Sequence, residues 1–130
     1  MSPIYNKIAW LCQFIAGPIF IWAGILKLSA NQADIDLFTT LGMEPTGRIL
    51  IGVIEVFAGL MLISDAFAAL GALLGLGVMI GAFIAHSTRL GFIVSDDGGM
   101  HALMLAIVLS SCLAILAIRR KQLPFIGPTL

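Results

Sequence analysis

The sequence predicts an all-α membrane protein: an antiparallel bundle of four transmembrane helices with a short interfacial helix on its outer side. Three observations predict it. Of the 130 residues, 60% are hydrophobic and 11% charged, too few polar side chains to cover a soluble domain of this size. The apolar residues fall into four runs, at about 8–26, 49–64, 66–85 and 102–118. Charges and histidines gather at the ends of those runs: Lys27 ends the first, Arg48 begins the second, His86 ends the third and His101 begins the fourth. Glu55 is the exception, a carboxylate inside the otherwise uncharged run 49–63.

The first run is long enough to cross a hydrocarbon core of roughly 30 Å. It exceeds the roughly 7–15 residues of a signal-peptide apolar region and no small-x-small cleavage site follows at once, so it reads as a helix of the mature chain. In the loop 29–46, Ile35, Phe38 and Leu41 recur at helical spacing, with Asp34 and Asp36 on other faces. Asn31 is placed to cap that helix, Gly42 to end it, and Pro45 blocks its continuation. It reads as a lid lying on the outer surface. The second run spans the membrane if Gly47, Arg48 and Asp65 sit in the headgroups. Ser64 and Asp65 barely separate it from the third run, so these two helices are antiparallel neighbours. In the loop 87–99, the series Asp96-Asp97-Gly98-Gly99 reads as a turn, and Phe92, Ile93 and Val94 as a segment dipping into the interface. The tail 123–130, with Pro124 and Pro128, reads as irregular. Residues 1–130 form one domain.

The net charge is zero and no basic stripe is present, which argues against nucleic acid as a partner and leaves the lipid bilayer. Cys12 and Cys112 fall inside apolar runs, where cysteine is a small buried hydrophobe; neither CxxC nor zinc-ligand spacing occurs, and no metal site is expected. Arg119, Arg120 and Lys121 follow the fourth run and Lys7 precedes the first. The excess of basic residues on that side places both termini in the cytoplasm.

Helical spacing gives the spans a special face. Gln13, Gly17, Phe20, Gly24 and Lys27 align on the first, and Arg48, Gly52, Glu55 and Gly59 on the second. Gly75, Met79, Ala82 and His86 align on the third, and His101, Leu105, Val108 and Cys112 on the fourth. Small residues gather where helices touch in lipid, and polar groups turn away from the tails, so the faces of the first three point inward; that of the fourth is less distinct. Gly77-x-x-x-Gly81 is also a candidate surface for homo-oligomerisation. Arg48 to Glu55 is roughly 10 Å along the helix axis, which puts Glu55 about a third of the way in from the outer face. The expectation is an outward-opening pocket with Glu55 at its floor. Glu55 and His86 are the candidate proton-handling residues, and Lys27, Arg48, His101, Gly52, Gly59, Met79 and Ala82 the candidate ligand-binding ones.

Several stretches carry a family resemblance: Ala23-Gly24-Ile25-Leu26-Lys27-Leu28, then Leu41-Gly42, then 51–60 with Gly52, Glu55 and Gly59, then Gly81-Ala82-Phe83-Ile84-Ala85-His86. With Lys, Glu and His in this order on three helices, the chain resembles the DoxX-like family of small four-helix membrane proteins over nearly its whole length. The resemblance implies a bacterial inner-membrane protein. The family takes its name from a subunit of a thiosulfate:quinone oxidoreductase, and other relatives are linked to redox complexes. The chain has no redox cysteine pair, so fold and site transfer rather than that reaction.

Two readings of Glu55 stand side by side. In one, Lys27 or Arg48 neutralises it and the ion pair only fixes helix register. In the other, the pocket binds a quinone-like lipophile, whose oxygens histidine and carboxylate can hydrogen-bond and protonate, and the protein is the membrane subunit of a partner oxidoreductase. Alternatives are a membrane enzyme moving a proton on a lipophilic substrate, a conduit for protons or small solutes, and a purely structural module.

Overall fold

The computed structural model describes residues 2–91 and 98–130, and all regular structure among them is helical. Five α-helices follow in order: α1 (Pro3–Leu28), α2 (Gln32–Thr40), α3 (Thr46–Leu62), α4 (Ala68–Ala85) and α5 (Met100–Arg119). A π-helical turn, His86–Leu90, continues α4, and short 3-10 turns cover Arg120–Gln122 and Gly127–Thr129. Among the described residues, three helical segments are long and apolar enough to cross a membrane: Pro3–Leu28, Ala68–Leu90 and Met100–Gln122. The sequence led us to expect four. With 17 residues, α3 reaches about 25 Å, because the chain turns between Ile63 and Phe67 before re-entering a helix.

Local chemistry sets the helix ends. Pro3 opens α1, where its missing N–H costs nothing, and Lys27 lies in the last turn, where a cation suits the helix dipole. Gly42, at φ +71°, ends the α2 segment as expected. Asn31 stands at the N-cap of α2 without capping it through its side chain. Its Nδ2 donates instead to Asp34 Oδ2 at 3.1 Å. Asp34 itself departs from expectation. It is buried on the same inward face as Phe38, one helical turn on, because cationic Lys27 lies beneath it.

The helices close into a ring, in which α3 packs on α1 and α4 while α5 packs on α4 and α1. The α1–α3 seam is backbone against backbone. A Cβ added to Gly24 would lie 2.7 Å from the Gly52 oxygen, and one added to Gly59 would lie 2.7 Å from the Gly17 oxygen. Rising numbers on α1 meet falling numbers on α3, so this pair is antiparallel. The middle of the interior is apolar: Ala16, Phe20, Leu62, Ala68, Ala72, Val108, Cys112 and Ile115 form one buried cluster. Cys112 is in it and Cys12 packs against it; both are free thiols. Large apolar side chains such as Leu11, Phe14, Leu50, Phe57 and Leu113 cover the outside, which suits helices surrounded by lipid rather than water.

The loop 87–99 starts later than expected, since the helix runs on to Leu90 and stops at Gly91, φ +72°. Gly98 and Gly99, both at positive φ, lead into α5. Phe92, Ile93, Val94, Asp96 and Asp97 lie outside the described residues. The tail is more ordered than expected. Leu123 is buried, and the Gln122 side chain donates to the Asp65 carbonyl at 2.8 Å and accepts from the Ala69 N–H at 3.4 Å. It thereby ties the end of the chain to the start of α4.

Candidate functional site

The glycine seam runs up to a polar site at one end of the bundle. Lys27 follows Gly24 by three residues on α1, and Glu55 follows Gly52 by three on α3. In this antiparallel pair those two steps run in opposite directions along the axis, and the long Lys27 side chain spans the offset: a Cβ added to Gly52 would lie 3.1 Å from the Lys27 Cβ, and Lys27 Nζ lies 2.9 Å from Glu55 Oε1, with the Glu55 side chain 3% exposed. Helix α2 supplies a second carboxylate, Asp34, whose Oδ1 is 3.8 Å from the same ammonium. One lysine on α1 therefore holds α2 and α3 together.

Arg48 does not neutralise Glu55. Its Nε donates to both Glu44 oxygens at 2.9 Å, Glu44 standing four residues earlier, in the turn that leads into α3. Its Nη1 donates to the Lys27 carbonyl, satisfying a carbonyl in the last turn of α1. Arg48 is thus a positioning group behind Lys27.

A cavity of about 640 Å³ opens beside these charges. All five helices line it. Lys27, Asp34, Glu55 and Asn31 form its polar end, and Phe20, Trp22, Phe38 and Met104 are among its apolar walls. Of the residues singled out from sequence, Met79, Ala82, His86 and His101 line it too. Arg48, Gly52 and Gly59 do not; the two glycines build the seam. His86 is buried in the π-helical turn, a distortion often found at functional positions. Its Nδ1 is 2.7 Å from the Gly91 carbonyl oxygen. A carbonyl only accepts, so Nδ1 carries the proton, and in the neutral ring Nε2 is the acceptor nitrogen. His101 is exposed at the start of α5. Gly77 and Gly81 also line the cavity, with open space where a side chain would go. Among the described residues, no group of three His, Cys, Asp or Glu side chains is placed to hold a metal ion.

A second polar cluster was missed from sequence. At the opposite end of the bundle, fully buried Gln13 donates through Nε2 to the Leu62 carbonyl at 2.8 Å. Arg119 Nε donates to Gln13 Oε1 at 2.6 Å, and Nη2 to Asn6 Oδ1 at 3.0 Å. The Arg119 guanidinium also lies 5.3 Å from the Trp10 ring centroid, within range of a cation–π interaction. The apolar cluster around Phe20, Leu62 and Val108 separates this network from Glu55. The signal was present: Val108, Cys112, Ile115 and Arg119 continue one helical face.

Compared with known protein families, the chain matches the DoxX family model over residues 11–88. The matched segment runs from α1 to the π-helical turn, and takes in Lys27, Asp34, Glu55 and His86 but not His101. No curated protein and no solved structure matches the chain.

Proposed function

This chain belongs to the DoxX family, and from that premise we propose that it binds a quinone-like lipophile as the membrane subunit of a redox system. The observation that carries the reading is the cavity: apolar walls large enough for a ring, with a Lys27–Glu55 pair and two histidines along its lining. Ligand pockets have this character, a mostly apolar shell with a few convergent polar groups. Access from the bilayer is supported by Trp22. It is 60% exposed and lines the cavity, roughly 9 Å along the axis from the end of α1, which is lipid depth rather than water depth. Histidine and carboxylate would hydrogen-bond the ligand's oxygens and exchange protons with them. The conduit alternative fits less well, because the buried apolar cluster interrupts the polar groups between the two ends.

In this reading α3 completes a fourth span with Arg48 and Asp65 in the headgroup regions, and the bundle is antiparallel in the inner membrane of a bacterium. A partner oxidoreductase subunit would exchange electrons with the ligand.

Titration with decylubiquinone in mild detergent tests the binding claim. Saturable quenching of tryptophan fluorescence is expected, and most of it should vanish in Trp22→Phe, which leaves Trp10 at the other end as the reporter. Absence of saturable quenching, or equal quenching in the variant, would contradict the cavity as the binding place.

Orientation is testable on its own. In a background with Cys12 and Cys112 replaced, Thr129→Cys should react with a membrane-impermeant thiol reagent only after the cells are opened. Labelling from outside intact cells would reverse the topology.

A further inference from the structure

Resting on the reading of the cavity as a lipophile site, we infer that it favours the reduced, hydroxyl-bearing form of its ligand, a quinol, over the oxidised quinone. The argument is a count of donors and acceptors at the polar end. Lys27, Asp34, Glu55 and Asn31 line the cavity, as do His86 and His101, and the first four cluster around one point: within that cluster one ammonium stands against two carboxylates, a formal charge of −1. The ammonium gives one hydrogen bond to Glu55 at 2.9 Å. Asp34 lies 3.8 Å from it, beyond hydrogen-bond length, and takes an N–H from Asn31 instead. The nearby cation that could redress the balance, Arg48, is committed to Glu44 and to the Lys27 carbonyl and does not line the cavity. Each carboxylate has about four acceptor positions, so acceptors outnumber donors.

The two oxygens of a quinone only accept. Placed here, they face carboxylates that also only accept, and compete for the protons of Lys27. The hydroxyls of a quinol donate, and a bond from O–H to an ionised carboxylate is among the stronger kinds. A site furnished to receive a hydroxyl discriminates well against an analogue that lacks it. Because Glu55 sits on α3 and Asp34 on the lid helix, the two hydrogen-bond acceptors come from separate elements joined through Lys27. The lid is then part of the recognition.

The experiment is an anaerobic titration of wild type, Asp34→Asn and the double variant Asp34→Asn/Glu55→Gln with decylubiquinol, decylubiquinone and the dimethyl ether of the quinol. The ether keeps ring and tail but has no donor. Wild type should bind the quinol at least about tenfold more tightly than the quinone, with the ether behaving like the quinone. The preference should shrink in Asp34→Asn and disappear in the double variant. Equal or tighter saturable binding of the quinone by wild type would overturn the preference while leaving the lipophile site standing. A preference that survives unchanged in the double variant would also overturn it. Failure of all three compounds to bind would overturn the site and the preference together.

Discussion

Gly59→Leu should leave little folded protein in mild detergent. A Cβ at this position would lie 2.7 Å from the Gly17 oxygen and 2.9 Å from the Ile21 nitrogen, both backbone atoms of α1. A side chain in the way can rotate; a helix backbone can only move as a body. Overpacking typically costs about 1–3 kcal/mol, and here the whole α1–α3 seam has to separate to relieve it. The same separation pulls Lys27 from Glu55, so the polar site fails with the seam. Gly77→Ala is the control, since nothing lies within 4 Å of a Cβ there, and its melting temperature should match wild type. An unchanged melting temperature for Gly59→Leu would mean that this face looks at lipid and that α1 and α3 do not pack as described.

The second large effect separates the two members of the ion pair. Lys27→Met leaves Glu55 and Asp34, both buried, without the cation they share. Removing one partner of a buried pair costs about 3–5 kcal/mol, and a loss on that scale is expected. Glu55→Gln is the milder change. The amide oxygen still accepts from Lys27, and Asp34 remains nearby as a counter-charge, so the loss should be about 1 kcal/mol, the scale of one hydrogen bond. In the double variant Lys27→Met/Glu55→Gln the unpaired charge at position 55 is gone while Asp34 still lacks its cation, and stability should recover part of the way towards Glu55→Gln. Thermal melts of the three variants beside wild type check the order. If Lys27→Met melts with wild type, the ion pair does not tie α1, α2 and α3 together.

Much of this was legible in the sequence because lipid leaves few ways to place polar and small residues. Gly17, Gly24, Gly52 and Gly59 recur at seven-residue spacing on two helices, and the seam is where they meet. Glu55 announced itself as a carboxylate inside an apolar run, and Lys27 as a cation at the end of the preceding one. The choice between Lys27 and Arg48 as its partner was open from sequence, although Glu44 stands four residues before Arg48 and offered that arginine a nearer carboxylate. Asp34 was misplaced because the pattern of Ile35, Phe38 and Leu41 gives α2 an apolar face, whereas its inward side is set by a tertiary partner, Lys27. Arg119 was read with Arg120 and Lys121 as a marker of orientation. Its burial depends on Gln13 and Asn6, more than a hundred residues away in the chain, and no local pattern records that. The π-helical turn at His86–Leu90 likewise extends a helix beyond the point where the apolar run ends.

The central claim is that Glu55 belongs to a ligand site and not merely to an ion pair that fixes register. The most direct measurement is the lipophile content of the protein purified from membranes, identified and quantified by mass spectrometry in wild type and in Glu55→Gln. A quinone-class lipophile should accompany wild type, and Glu55→Gln should stay folded with a melting temperature close to wild type while losing most of that load. A folded Glu55→Gln protein that carries as much of the same lipophile as wild type would contradict the claim and leave Lys27–Glu55 as a purely structural pair.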